Sequence, residues 1–259
     1  MTEPIQSAQN PQVKRLKALM NDASARKAAG VYLIEGPKLA LEALSAGAKV
    51  IQAAISPACK IREELYKARV EALELGDNAF ASVAGTESPQ GVILVLELPK
   101  VEMPPLSGLR LALAAEKLQD PGNLGTVLRS AWACAVDALY LSEGCADAYG
   151  PKALRAAAGA QMHLKIESQS PLEKRLHGMK AAGIQVLALE PEAKTSLWDA
   201  DLSKPSCFVL GSEGQGLSQA LLRACSLPIR LEHPGKTESL NAGVSLSVAL
   251  FEALRQRRQ

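Results

Sequence analysis

From residue 109 onward, short apolar runs alternate with stretches of helical periodicity, and this alternation restricts the possible folds more than any other feature. Strands are expected over 109–115, 138–141, 163–166, 185–189 and 208–210, and helices over 125–134, 151–158, 172–182 and 240–255. The strand runs are apolar throughout rather than at every second position, so both of their faces should be covered. Strands alternating with helices imply an α/β fold with a mostly parallel sheet. The stretch before residue 99 repeats the theme on a smaller scale. An amphipathic helix over 10–20 is followed by a strand at 31–34, a helix at 38–45, a strand at 50–55, a helix over 62–75 and a strand at 91–97. Between the two parts, residues 99–108 contain Pro99, Pro104 and Pro105 and little periodicity, which suits a linker. The expected domains are therefore 1–98 and 109–259.

Charge and cysteine usage narrow the function classes. Lys+Arg 29 against Asp+Glu 27 leaves a net charge of +2, which neither demands nor excludes a polyanionic partner. Its distribution is more telling, because Lys14, Arg15 and Lys17 occupy the polar face of the first helix while Val13, Leu16 and Leu19 form its apolar stripe. The five cysteines are odd in number and scattered, with no Cys-x-x-Cys pair and no histidine at ligand spacing, so neither a disulfide framework nor a metal site is expected. No apolar window is long enough for a transmembrane helix, and a reducing, cytoplasmic setting is expected.

Three segments of the second part carry polar residues at the ends of expected strands, where open α/β sheets bind ligands. The first is Asn123-Leu-Gly125-Thr-Val-Leu-Arg129, with Asn123 read as a helix N-cap. In the second, the strand ending at Leu210 runs into Gly211-Ser-Glu213-Gly214-Gln-Gly216-Leu217. Three glycines there are read as supplying positive φ and close backbone approach around one carboxylate. Their spacing fits neither a dinucleotide fingerprint nor a phosphate loop, which favours a ligand without phosphates. In the third, a loop rich in Gly and Pro after Ile229 leads to Glu238-Ser239-Leu240-Asn241 and a long apolar helix. One of Ser239 and Asn241 is expected to cap that helix, whose first-turn amides could hold a polar ligand. His233 in the same loop is read as a bystander.

Taken in order and at this spacing, the three segments resemble the three motifs of the SpoU/TrmH family, RNA ribose 2′-O-methyltransferases of the SPOUT superfamily. The resemblance extends to Asn10-Pro-x-Val-Lys14 and Leu33-Ile-Glu-Gly-Pro-Lys38, which are similar to a small substrate-binding domain of ribosomal-protein-like fold. It implies a C-terminal domain with a deep trefoil knot, a homodimer and S-adenosylmethionine as cofactor. Carried over residue by residue, Gly211, Gly216, Ile229, Leu231 and Leu240 would bind the cofactor. Asn123, Arg129, Glu213, Ser239 and Asn241 would form the catalytic and polar set, and Lys14, Arg15, Lys17 and Arg129 would meet RNA. The resemblance is compatible with Arg129 as the base that deprotonates the ribose 2′-hydroxyl, or as a permanent cation that binds phosphate and stabilises a developing alkoxide. Arg230 and Leu231 depart from the usual proline and methionine, and the loop between Ile229 and Leu240, which contains Glu232-His-Pro-Gly235, is about two residues longer than the common form.

The expected function is methyl transfer to a ribose 2′-hydroxyl in RNA, ribosomal RNA first and tRNA as the alternative, with neither DNA nor a membrane as partner. A non-catalytic RNA-binding or ribosome-assembly factor is the second reading. A nucleotide-dependent oxidoreductase ranks far behind, for want of the dinucleotide spacing.

Overall fold

The computed structural model describes residues 3–233, 235 and 240–258. In chain order its elements are α1 (Pro11–Asn21), α2 (Ala23–Ala29), β1 (Val31–Glu35), α3 (Pro37–Ser45), β2 (Val50–Ile55), α4 (Arg62–Lys67), β3 (Ala72–Glu74), α5 (Asp77–Val83) and β4 (Val92–Glu97). They continue with β5 (Leu111–Ala115), α6 (Pro121–Ala133), β6 (Ala138–Leu141), α7 (Pro151–Ala156), β7 (Ile166–Glu167), α8 (Leu172–Ala181), β8 (Gln185–Leu189), β9 (Thr195–Ser196), β10 (Ser206–Leu210), α9 (Gln219–Ala224), β11 (Leu227–Arg230) and α10 (Ala242–Arg257).

The chain divides into two compact units, Met1–Lys100 with Tyr149–Met162, and Val101–Ala148 with His163–Gln259. The segment carrying α7 therefore packs with the first unit, although in sequence it lies inside the 109–259 stretch. Its Tyr149 ring sits 5.1 Å from that of Tyr32 on β1. A six-residue helix, too short to be stable by itself, is placed by tertiary packing rather than by chain order.

In the first unit the strands run in the order β1-β4-β2-β3. β4 is antiparallel to both β1 and β2, and β3 pairs parallel with β2. The helix expected over 62–75 is instead α4 followed by β3. Arg69 takes φ +55°, which stops the helix, and Ala72–Glu74 then pairs with Ala53–Ile55. α1 is capped by the Asn10 side chain and buries Val13, Leu16, Leu19 and Met20, leaving Lys14, Arg15 and Lys17 exposed.

In the second unit the sheet order is β7-β6-β5-β10-β8-β11-β9, and every paired neighbour is parallel. β5, β6 and β10 are buried at every residue, as expected for a sheet covered on both faces. One face packs Ala112, Ala114, Tyr140, Val186, Cys207 and Val209 against Leu172, Leu176 and Met179 of α8. β10 lies between β5 and β8 rather than beside its sequence neighbour β9, so the carboxyl ends of β10, β8 and β11 stand next to one another.

Candidate functional site

Beyond the ends of those three strands lies a cavity of about 440 Å³. The apolar side chains around it are Leu189, Leu210, Ile229, Leu231 and Leu240, and the polar ones include Glu190, Ser212, Glu213, His233, Asn241 and Ser245. Gly211 and Gly216 also line it, so all five expected cofactor residues face one space. Ser239 lies outside the described residues.

The loop after β10 is a tight turn with one purpose for each of two glycines. Ser212 and Gly216 exchange backbone hydrogen bonds of 3.1 and 3.0 Å, folding the loop back on itself. A Cβ on Gly211 would come within 2.1 Å of the Gly216 carbonyl carbon, so that position tolerates no side chain. Gly216 has φ +64°. The expectation of positive φ at all three glycines is thus corrected. Gly211 is needed for close approach, Gly216 for conformation, and at Gly214 a Cβ would meet nothing within 4 Å.

Asn123 does not cap α6. Asp120 does, its Oδ1 accepting from the Asn123 backbone amide at 2.8 Å. This frees the Asn123 side chain for a different task. Its Nδ2 donates to Glu213 Oε1 at 2.9 Å, and its Oδ1 accepts from Asn241 Nδ2 at 2.8 Å. Asn241 in turn caps α10, its Oδ1 accepting from the amides of Gly243 and Val244 at 2.9 and 3.2 Å. Those first-turn amides are therefore taken by the cap and are not open to a ligand. The chain Glu213–Asn123–Asn241 joins the three sequence segments, and each amide can satisfy it in one orientation only.

Helices α6 and α10 are held closely together. A Cβ on Gly243 would lie 3.0 Å from Thr126 Cβ, and Ser130 and Ser247 share a 2.7 Å hydrogen bond between their hydroxyls. Arg129, between one and two helical turns beyond Asn123, is exposed and does not line the cavity. Asn123 does not line it either, but is bonded to two residues that do.

Two features escaped sequence reasoning. Glu190 borders the cavity, and burial raises its carboxyl pKa, partly offset by the Leu217 backbone amide. Arg230 closes the turn that Glu190 begins, donating to the carbonyls of Ala193 and Lys194 and pairing with Glu232 at 2.5 Å. Arg230, where the family resemblance leads one to expect proline, thus has a structural use.

Three comparisons bear on this site. The SpoU rRNA Methylase family matches residues 110–251, and the MRM3-like substrate binding domain matches residues 10–94. The chain belongs to the SpoU rRNA methylase family. It is 34% identical to an uncharacterized tRNA/rRNA methyltransferase of Synechocystis sp., over 98% of this chain and 94% of that one. It is 31% identical to the 23S rRNA (guanosine(2553)-2′-O)-methyltransferase RlmP of Bacillus subtilis, over 95% of this chain and 97% of the relative. Among solved structures, the SpoU methyltransferase AviRb from Streptomyces viridochromogenes in complex with AdoMet matches with a TM-score of 0.85 and 25% identity, covering 96% of this chain and 99% of that one. The α/β fold with its mostly parallel sheet and N-terminal substrate-binding domain is the SpoU arrangement.

Proposed function

We propose that this SpoU methylase transfers a methyl group from S-adenosylmethionine to a ribose 2′-hydroxyl of 23S ribosomal RNA. The observation that carries this reading is that the second and third segments line one cavity and the first is hydrogen-bonded to both of them. Gly211, Ile229 and Leu240 line it, and Asn123 ties its rim to the helix that presents Arg129. The lining suits the cofactor. Five leucine or isoleucine side chains offer an apolar cradle, and two carboxylates face the space with no Lys or Arg among the described lining residues. That balance favours a cationic ligand over a phosphorylated one. The relatives' names support ribosomal RNA as the substrate over the tRNA alternative.

When bound, the cofactor supplies an electrophilic methyl group on a sulfonium that departs as a neutral thioether. The chain's own residues then have separable tasks. Gly211, Gly216, Ile229, Leu231 and Leu240 hold the cofactor, while Glu213, Asn123 and Asn241 fix the rim. Arg129, a permanent cation, binds a substrate phosphate and stabilises negative charge as the 2′-oxygen loses its proton to solvent. Lys14, Arg15 and Lys17 form a phosphate-binding face on α1.

The working unit is read as a cytoplasmic homodimer. Val244 and Phe251 on α10 are 45% and 53% exposed, and Leu240 before it and Trp132 on the adjoining α6 are 37% and 39% exposed. A second copy of the chain would cover this stripe. The trefoil knot that the family resemblance implies belongs to the same reading. Among the described residues no helix is long and apolar enough to cross a membrane.

Calorimetry of the purified protein with S-adenosylmethionine should give saturable binding. Mapping 2′-O-methylation across total RNA, with and without the gene, should show one lost methyl group in 23S rRNA. Failure to bind the cofactor would overturn the enzymatic reading in favour of a non-catalytic RNA-binding factor, and a mark lost only from tRNA would overturn the substrate.

A further inference from the structure

The loop that follows β10 forms one wall of the cavity through Gly211, Ser212, Glu213, Gly214 and Gly216, and a single residue of the neighbouring strand holds both of its ends. β5 and β10 run side by side with Ala115 opposite Leu210, so the next residue, Glu116, stands beside the start of the loop. Its amide donates to the Leu210 carbonyl at 2.8 Å. Its side chain reaches the other end, Oε2 accepting from the Ser218 amide at 2.7 Å. Lys117 turns the chain away immediately afterwards, with φ +50° and its amide donating to Ser142 Oγ at 2.9 Å. Lysine seldom takes that left-handed conformation. The turn sends the chain on to Asn123, which holds Glu213 in the same loop.

The role of Ser218 explains why a carboxylate is wanted at the exit. Ser218 is the N-cap of α9, its Oγ accepting from the Leu221 amide at 3.4 Å. In a capping box the third helical residue is a Glu or Gln that accepts in return from the amide of the cap residue. That position in α9 is Leu221, which has no such oxygen. Glu116 supplies the missing acceptor from another strand. The exit matters to the wall because the Gly216–Leu217 backbone lies against Gly211 with no room for a Cβ. A shift at Ser218 would therefore disturb the entry of the loop as well as its end.

Resting on the cofactor reading above, we propose that Glu116 is a positioning residue of the cofactor site. It does not line the cavity and acts through the loop, setting the backbone of Gly216 and Leu217 by holding the amide that follows them. The wall is then in place before the cofactor arrives, which lowers the cost of binding. The task calls for an acceptor oxygen at the reach of a glutamate side chain and does not call for its charge.

Two conservative variants separate reach from charge, in calorimetry on the full chain with S-adenosylmethionine and S-adenosylhomocysteine. Glu116→Asp keeps the charge but is one methylene too short, and should bind both about tenfold more weakly than the parent. Glu116→Gln keeps an acceptor at full length and should bind within about twofold of the parent. Amide hydrogen exchange without ligand should show protection at Ser218 lost in Glu116→Asp and retained in Glu116→Gln. Parent-like affinity in Glu116→Asp would overturn the proposal, even with a lowered melting temperature, because Glu116 would then serve stability alone. Weak binding by Glu116→Gln with parent-like binding by Glu116→Asp would also overturn it, in favour of a carboxylate acting on the cofactor through its charge. If the parent binds neither probe while the exchange pattern holds, the cofactor reading fails and the loop contact stands.

Discussion

Glu190 and Glu213 line the same cavity and are treated in opposite ways. Glu213 sits on an exposed loop but is tied through Asn123 and Asn241 to the first turn of α10, so its orientation is set before any ligand arrives. Glu190 is more enclosed, and its Oε1 is left without a partner. The contrast separates two tasks within one site. A pre-formed hydrogen-bonded rim suits the positioning of reacting groups, because nothing need reorganise during the reaction. The floor carries the apolar side chains Leu189, Leu210 and Ile229, which suit holding a ligand rather than moving a group. Changes at the rim side should therefore damage turnover, and changes at the floor should damage affinity.

The largest effect is expected from Arg129→Ala. Loss of a cation beside the developing alkoxide should lower the single-turnover methylation rate by about 10²–10³-fold. S-adenosylmethionine affinity should stay at the parent value, since Arg129 does not line the cavity. Weakened cofactor binding would erase the distinction between rim and floor, and an unchanged rate would remove Arg129 from the mechanism. Gly211→Ala should come next and should respect no such distinction. Its Cβ would displace the Gly216–Leu217 backbone, which supports both the Glu213 loop and the Leu217 amide beside Glu190. We expect cofactor affinity to fall about tenfold or more, with Gly214→Ala as the harmless control.

How far the site could be read from sequence follows from the same physics. The parallel sheet was legible because strands buried on both faces are apolar throughout, as in Leu111–Ala115. The five cavity-lining residues carried over from the family resemblance were legible because glycine spacing and motif order survive without coordinates. Glu190 was not, because a single acid between Leu189 and Pro191 reads as the polar end of a strand, and only the sheet order places it beside Ile229. β11 was missed because Pro228 weakens a four-residue run that tertiary pairing with β8 then rescues. The role of Asn123 was misread for a local reason. Asp120, three residues earlier, supplies the cap, and nothing local indicates that the Asn123 side chain will bridge to positions 213 and 241.

A third test moves away from the cavity altogether. Replacing Lys14, Arg15 and Lys17 with Ala should leave α1 folded, because its buried face is Val13, Leu16, Leu19 and Met20. RNA affinity measured against salt should lose about two to three units of slope if all three side chains meet phosphate. Cofactor affinity should be unaffected. An unchanged slope would take α1 out of the RNA-binding surface and confine recognition to the second unit.

The smallest expected effect concerns stability against pH, and it isolates the floor. Burial raises the Glu190 pKa above its ordinary 4.5, so the folded state holds the proton more tightly than the unfolded state. Such a group favours folding fully below the unfolded pKa, and that contribution is lost as pH rises through the folded value. In the ligand-free protein, the parent should therefore weaken relative to Glu190→Gln as pH climbs from below 4.5 toward neutrality. The gap in melting temperature should widen steadily across that range. Glu213 and His233 also line the cavity, but both are present in parent and variant, so the difference reports Glu190. A variant that is less stable than the parent across that whole range would mean that Glu190 holds the loop together. The contrast with Glu213 would then collapse into two versions of the same structural role.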